Sequence, residues 1–254
     1  SPYRAEAYFF LGETYMALDR YVEAADAYLN YWMLRPGVID AYIGERRGDA
    51  LFYAGMYSQA LMDYQAAVNS ERLPTDFTLE IKLARAYAAS GDHATALVMY
   101  NDLFSRSGND YIKAQIDYLL GQMYVTMGQY QDGYTAYLNA VNNYPLAYYS
   151  YLSLVELVNA GYPVDELQRG IVDYYAGEYG AALAAFERYL LSSMPKVPYG
   201  ATLVIVTGLV TPELAESLVR LKRYRAHTTL ISLEKTPPPE IPGVRNVHLP
   251  FEQP

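Results

Sequence analysis

Residues 121–145 read GQMYVTMGQYQDGYTAYLNAVNNYP, with Gly121, Tyr124, Gly128, Tyr130, Gly133, Tyr137, Ala140 and Pro145 as fixed points. Small and aromatic residues recur on both sides of Gly128 at helical intervals, so the stretch reads as two helices joined at a glycine turn. The spacing is repeated elsewhere. Leu11-Gly12 opens the same order (Tyr15, Asp19, Tyr21, Ala24, Tyr28, Tyr31, Pro36) and Gly48 repeats it (Gly55, Tyr57, Ala60, Tyr64, Ala67). So do Ala84 (Tyr87, Gly91, His93, Ala96, Tyr100, Leu103) and Gly170 (Gly177, Tyr179, Ala182, Phe186, Tyr189, Pro195). The small anchors fall 36, 36, 37 and 49 residues apart, a period that marks stacked helical units.

Each fixed point has a physical reason. The small residue of the first helix and the Ala of the second are expected where the two helices cross, since bulk there would push the backbones apart. The aromatic four past that Ala lies one turn on along the same face and is expected to fill the gap to the next hairpin. Gly at the turn supplies the left-handed conformation that ends the first helix.

This order resembles the tetratricopeptide pattern over residues 5–195: a Leu-Gly pair, a Tyr three on, an Ala twelve past the Gly, an aromatic four further and a closing Pro. The resemblance implies a mainly α fold, a right-handed α-solenoid of about five hairpins. Spacings of 36 and 37 place small extensions at Glu71-Arg72-Leu73-Pro74 and Ser105–Asp110. The jump of 49 leaves room for an extra helix at about Leu146–Ala160, closed by Gly161-Tyr162-Pro163. Extended repeats with such a helix look like the superhelix that precedes the catalytic domain in bacterial soluble lytic transglycosylases.

Composition narrows the function. A formal charge of −9 and a pI near 4.8 argue against sequence-independent nucleic-acid binding, which relies on Lys and Arg at phosphates. No run approaches the roughly 20 apolar residues of a membrane span, so no membrane insertion is expected. Zero Cys excludes a disulfide framework. The chain opens directly in a helical pattern, SPYRAEAYFFLGETY. That leaves a cytoplasmic location and an extracytoplasmic one, with a signal removed, both open. Tyr accounts for 29 residues, Phe for 7 and Trp for 1, and Tyr suits half-buried surfaces with one wet end.

Lys and Arg number 12 against 23 Asp and Glu in residues 1–195, but 7 against 5 in residues 196–254, which also hold eight of the 14 prolines. The two properties change together near Pro195–Pro198, which sets the expected boundary between a 1–195 helical array and a 196–254 βαβ segment. Ala201–Thr207 (ATLVIVT) reads as a strand buried on both faces. Thr211-Pro212-Glu213 reads as the start of a helix running to about Tyr224, with Arg220, Lys222 and Arg223 at its end. Thr228–Leu233 and about Asn246–Leu249 follow as strands. The segment looks like the close of a von Willebrand factor A-like domain, without that fold's metal-site motif. A parallel unit this small is expected to bury its strands against something large, completing a sheet elsewhere or joining a larger assembly, or else to be part of a fusion or partial sequence.

The inventory for chemistry is thin, and neither enzyme activity nor a cofactor is expected of this chain. His93 occupies an aromatic slot of a repeat, while His227 and His248 have no neighbour at metal-ligand spacing. Glu216-Ser217 has a dipeptide of the transglycosylase motif without the rest. Gly208, between a strand and a helix start, lacks the Lys-Ser/Thr of a phosphate loop.

What has direction is the inner face. Tetratricopeptide first helices line a concave groove, and projecting the same faces here gathers Phe9, Glu13, Met16, Tyr42, Glu45, Asp49, Phe52, Tyr53, Arg85, Tyr118 and Gln122. The family's clamp for C-terminal carboxylates uses Lys, Arg and Asn, and Glu13, Glu45 and Asp49 would repel such a group. The expected role is therefore a scaffold binding a protein or peptide partner with Lys or Arg between apolar side chains. Two alternatives are the non-catalytic module of a lytic transglycosylase and a structural subunit docking through its sheet segment.

Overall fold

The computed structural model describes residues 3–70, 77–193, 202–221 and 227–250. The expected boundary at Pro195–Pro198, the extension at Glu71–Pro74 and the basic residues Lys222 and Arg223 lie outside the described residues. Two compact units divide at Leu157 and Val158. The fold is mainly α, a tetratricopeptide-like α-solenoid with a small α/β segment after it.

Unit one holds four hairpins: α1 (Arg4–Ala17) with α2 (Tyr21–Leu34), α3 (Asp40–Tyr53) with α4 (Tyr57–Asn69), α5 (Phe77–Ala89) with α6 (His93–Arg106), and α7 (Asp110–Thr126) with α8 (Tyr130–Asn143). They stack in order, α2 on α3, α4 on α5 and α6 on α7. The extra helix α9 (Tyr148–Asn159) lies where the long spacing placed it. The fifth hairpin, α10 (Glu166–Ala176) with α11 (Tyr179–Ser193), opens unit two.

The turns explain why each hairpin folds back. Gly55, Gly91, Gly128 and Gly177 take left-handed φ of 75°, 91°, 76° and 85°, ending the first helix of their hairpins as expected. In the first hairpin Asp19 does the same at φ 56°, and the Tyr21 hydroxyl donates to its Oδ1 at 2.6 Å.

Ala24, Ala60 and Ala96 are wholly buried. The aromatic four past Ala24 and Ala60 departs from expectation: it packs inside its own hairpin, against the small anchor. A Cβ at Gly12 would stand 2.5 Å from the Tyr28 ring, and one at Gly48 2.6 Å from the Tyr64 ring. Any side chain at those glycines would overlap the ring, so glycine is there for space rather than for backbone freedom. Two clusters form a continuous core, α5 supplying Leu79 and Leu83 to one and Ile81 and Ala84 to the next. Trp32, on α2, packs on the first cluster with its ring 3.5 Å from where a Gly44 Cβ would be.

In unit two, β1 (Thr202–Thr207), β2 (His227–Ser232) and β3 (Val244–His248) form a parallel sheet in the order β1-β2-β3, with α12 (Pro212–Leu221) between β1 and β2. Thr211 caps α12 by accepting from the Leu214 amide at 3.2 Å. One sheet face packs on Leu214 and Leu218, and Leu190 of α11 joins that cluster. The expectation that β1 is buried on both faces fails. Val204 and Val206 are 53% and 58% exposed, because β1 is an edge strand whose second face is uncovered among the described residues.

Candidate functional site

The first helices of consecutive hairpins present one residue each directly after the small anchor: Glu13, Asp49, Arg85 and Gln122. In the first two hairpins this residue holds the buried tyrosine. Tyr28 donates its hydroxyl to Glu13 Oε1 at 2.7 Å, and Tyr64 donates to Asp49 Oδ1 at 2.8 Å. Burial first, then the bonded carboxylate, pushes both phenols far above their ordinary range.

The other cations of this face were not anticipated. Lys82 donates to Glu45 Oε1 at 2.8 Å and to Asp49 Oδ2 at 2.7 Å. Burial works against its ammonium, but the bonds to Asp49 and Glu45 outweigh it and leave the group harder to deprotonate than an ordinary lysine. Arg46 stands 3.6 Å from Glu13, donates to the Tyr42 hydroxyl at 2.7 Å and lies over the Tyr42 ring. The three acids expected to attract a basic partner, Glu13, Glu45 and Asp49, are thus each engaged within the chain.

Two adjoining pockets result, of about 260 and 210 Å³. Met16, Arg46, Asp49, Tyr53 and Lys82 line the first; His93, Tyr100, Leu119 and Gln122 line the second. Phe52 and Arg85 line both, with the guanidinium 5.1 Å from the ring centre. Arg85 has no carboxylate or hydrogen-bond partner among the described residues. His93, expected from sequence to serve packing, lines the second pocket with its Nδ1 buried and without a hydrogen-bond partner among the described residues.

The remaining expected residues flank this pair. Phe9 packs on Tyr31 and Tyr42, and Tyr53, 56% exposed, stacks on Tyr21. Tyr118 accepts from Gln122 Nε2 at 2.8 Å and contacts the Tyr137 and Tyr149 rings. Phe9 and Tyr42 therefore continue the face toward α1, and Tyr118 and Gln122 continue it toward α7.

At the loop after β1 the Val210 amide donates to Glu234 Oε1 at 2.6 Å, so a carboxylate of the chain itself takes up a donor of that loop. His248 Nε2 lies 2.8 Å from the Glu234 carbonyl. No group of three metal-ligating side chains occurs among the described residues, and no described helix is long and apolar enough to cross a membrane.

The stacked helical hairpins make the fold tetratricopeptide-like. No protein-family model and no curated protein matches the sequence. Among solved structures the chain is similar to MamA, with 17% identity over 70% of this chain and 95% of that one and a TM-score of 0.45. It is also similar to a tetratricopeptide repeat protein from Parabacteroides merdae, at 18% identity, 87% and 73% coverage and a TM-score of 0.45. PilW, described as a widely conserved type IV pilus biogenesis factor, shares 17% identity over 86% of this chain and 84% of its own, with a TM-score of 0.47.

Proposed function

We propose that this chain is a non-catalytic scaffold that holds an extended segment of a protein partner along the face formed by α1, α3, α5 and α7. The observation that carries the reading is the Arg85–Phe52 pair shared by two adjoining pockets. An extended peptide fits a face of this kind, with apolar side chains entering the pockets on either side of a fixed charge. The partner's charge follows from what is free. Glu45 and Asp49 are engaged by Lys82, whereas Arg85 has no acid among the described residues, so the segment carries a carboxylate for Arg85 in place of the Lys or Arg expected from sequence.

Peptide display against the unmodified chain and against Arg85→Ala and Phe52→Ala variants tests this. Selected peptides should combine apolar residues with Asp, Glu or a free C-terminus, and both variants should lose the enrichment. Selection of Lys- or Arg-bearing peptides, or enrichment that survives both variants, would sink the reading.

A second reading, docking on another chain through the sheet, is favoured by the exposed Val204 and Val206 of β1. It does not compete with the first, because it uses a different part of the chain.

A further inference from the structure

Three aspartates are buried among the described residues: Asp63, Asp117 and Asp173, each 5–6% exposed. Asp63 faces Arg47 at 3.0 Å, and Asp173 has the Arg169 guanidinium at 3.7 Å. Asp117 has no cation among the described residues. Its Oδ2 accepts from Asn139 Nδ2 at 2.6 Å, and Asn143 Nδ2 in turn donates to Asn139 Oδ1 at 2.6 Å. This chain of amides fixes which end of Asn139 faces the carboxylate and leaves Asp117 Oδ1 without a partner among the described residues. The carboxylate lines an open pocket of about 650 Å³ between α7 and α8, together with Tyr124, Asp132 and Asn142.

We infer that this pocket is a binding site for an organic cation, an alkylammonium or guanidinium group, seated on Asp117 and oriented by Asn139. A buried carboxylate without a counter-charge is costly, and a cation entering the pocket removes that cost. The lining supplies two carboxylates and neutral amides, and no Lys or Arg. Lys113, one turn before Asp117 on α7, is turned to the Phe104 ring 5.4 Å away. Of the other titratable groups near Asp117, Asp132 and Tyr124 share the pocket, and Tyr144 feels Asp117 and Asp110 after its own burial. Burial pushes the Asp117 carboxyl up to about 7, with the Asn139 hydrogen bond opposing it, and a cation in the pocket would favour the ionised form.

The test uses the unmodified chain with three probes, agmatine, N-acetyl-Gly-Arg-Gly-amide and its citrulline analogue, followed by the side-chain amide resonances of Asn139 and Asn143 at pH 7.5. Agmatine and the arginine peptide should shift both resonances saturably, the citrulline peptide should not, and Asp117→Asn should weaken binding at least tenfold. Tighter binding of agmatine would point to a free amine, and tighter binding of the peptide to a partner's arginine. An equal response to citrulline, or no saturable response to either cation, would overturn the assignment without recourse to any variant. So would unchanged affinity in a folded Asp117→Asn protein.

Discussion

The guanidinium of Arg85 stands over the ring of Phe52, 5.1 Å from its centre, in the position where the two preceding hairpins hold an acid bonded to a tyrosine. Glu13 and Asp49 anchor Tyr28 and Tyr64, whereas Tyr100 has a cation beside it. One step of the repeat thus exchanges an internal hydrogen bond for an outward-facing charge.

Lys82 bridges α5 to two acids of α3, so its removal takes an ammonium away from two largely buried carboxylates. Lys82→Met should lower stability by about 1–3 kcal/mol, and the triple variant with Glu45→Gln and Asp49→Asn should recover most of it. Urea midpoints of the four combinations give the coupling; strict additivity would show that the bridge contributes nothing.

Alanine at Gly48 should cost about 1–3 kcal/mol despite its better helix propensity, because its Cβ would meet the Tyr64 ring. Gly180 is the control: it is helical, with nothing within 4 Å of a Cβ. Gly180→Ala should stabilise by about 0.5–1 kcal/mol. Equal effects in thermal melts would refute the packing assignment.

The Asp117 carboxyl, near 7 in the folded chain and about 3.9 unfolded, makes the folded state bind more protons between those values. Its contribution to stability therefore falls as pH rises from about 4 to 7 and is level above that. Asp117→Asn should gain nothing at pH 4 and about 2–4 kcal/mol at pH 8 relative to the parent, an upper range for a carboxyl that retains one amide donor. A gain independent of pH would contradict it.

Leu190 of α11 belongs to the cluster that covers the sheet, so a fragment of residues 196–254 lacks part of its own core. It should be unfolded or aggregated when expressed alone. A monomeric fragment with a cooperative melt would contradict this. In the intact chain, Val204→Lys with Val206→Lys should raise solubility at little cost in melting temperature.

The helices were legible because Gly12, Gly48, Ala84, Gly121 and Gly170 repeat a spacing, and spacing survives without knowledge of contacts. The face proposed to bind a partner rests on the same spacing, since Glu13, Asp49, Arg85 and Gln122 each directly follow an anchor. Their pairing was not legible. Glu45 and Asp49 meet Lys82 33 to 37 residues away, and only superposing α5 on α3 would have placed that ammonium between them. Arg85 was in view but its isolation was not, because lack of a partner is a property of three-dimensional neighbours. The strand β1 misled because ATLVIVT has the composition of a central strand while its place at the sheet edge is set by topology.

The seam between α2 and α3 carries the chain's one tryptophan, Trp32, packed over Gly44. Its emission is therefore a private reporter of that seam among 29 tyrosines. A red shift that precedes loss of the far-ultraviolet helix signal would mark undocking of the first hairpin as a separate event, as nearest-neighbour coupling in a linear array allows.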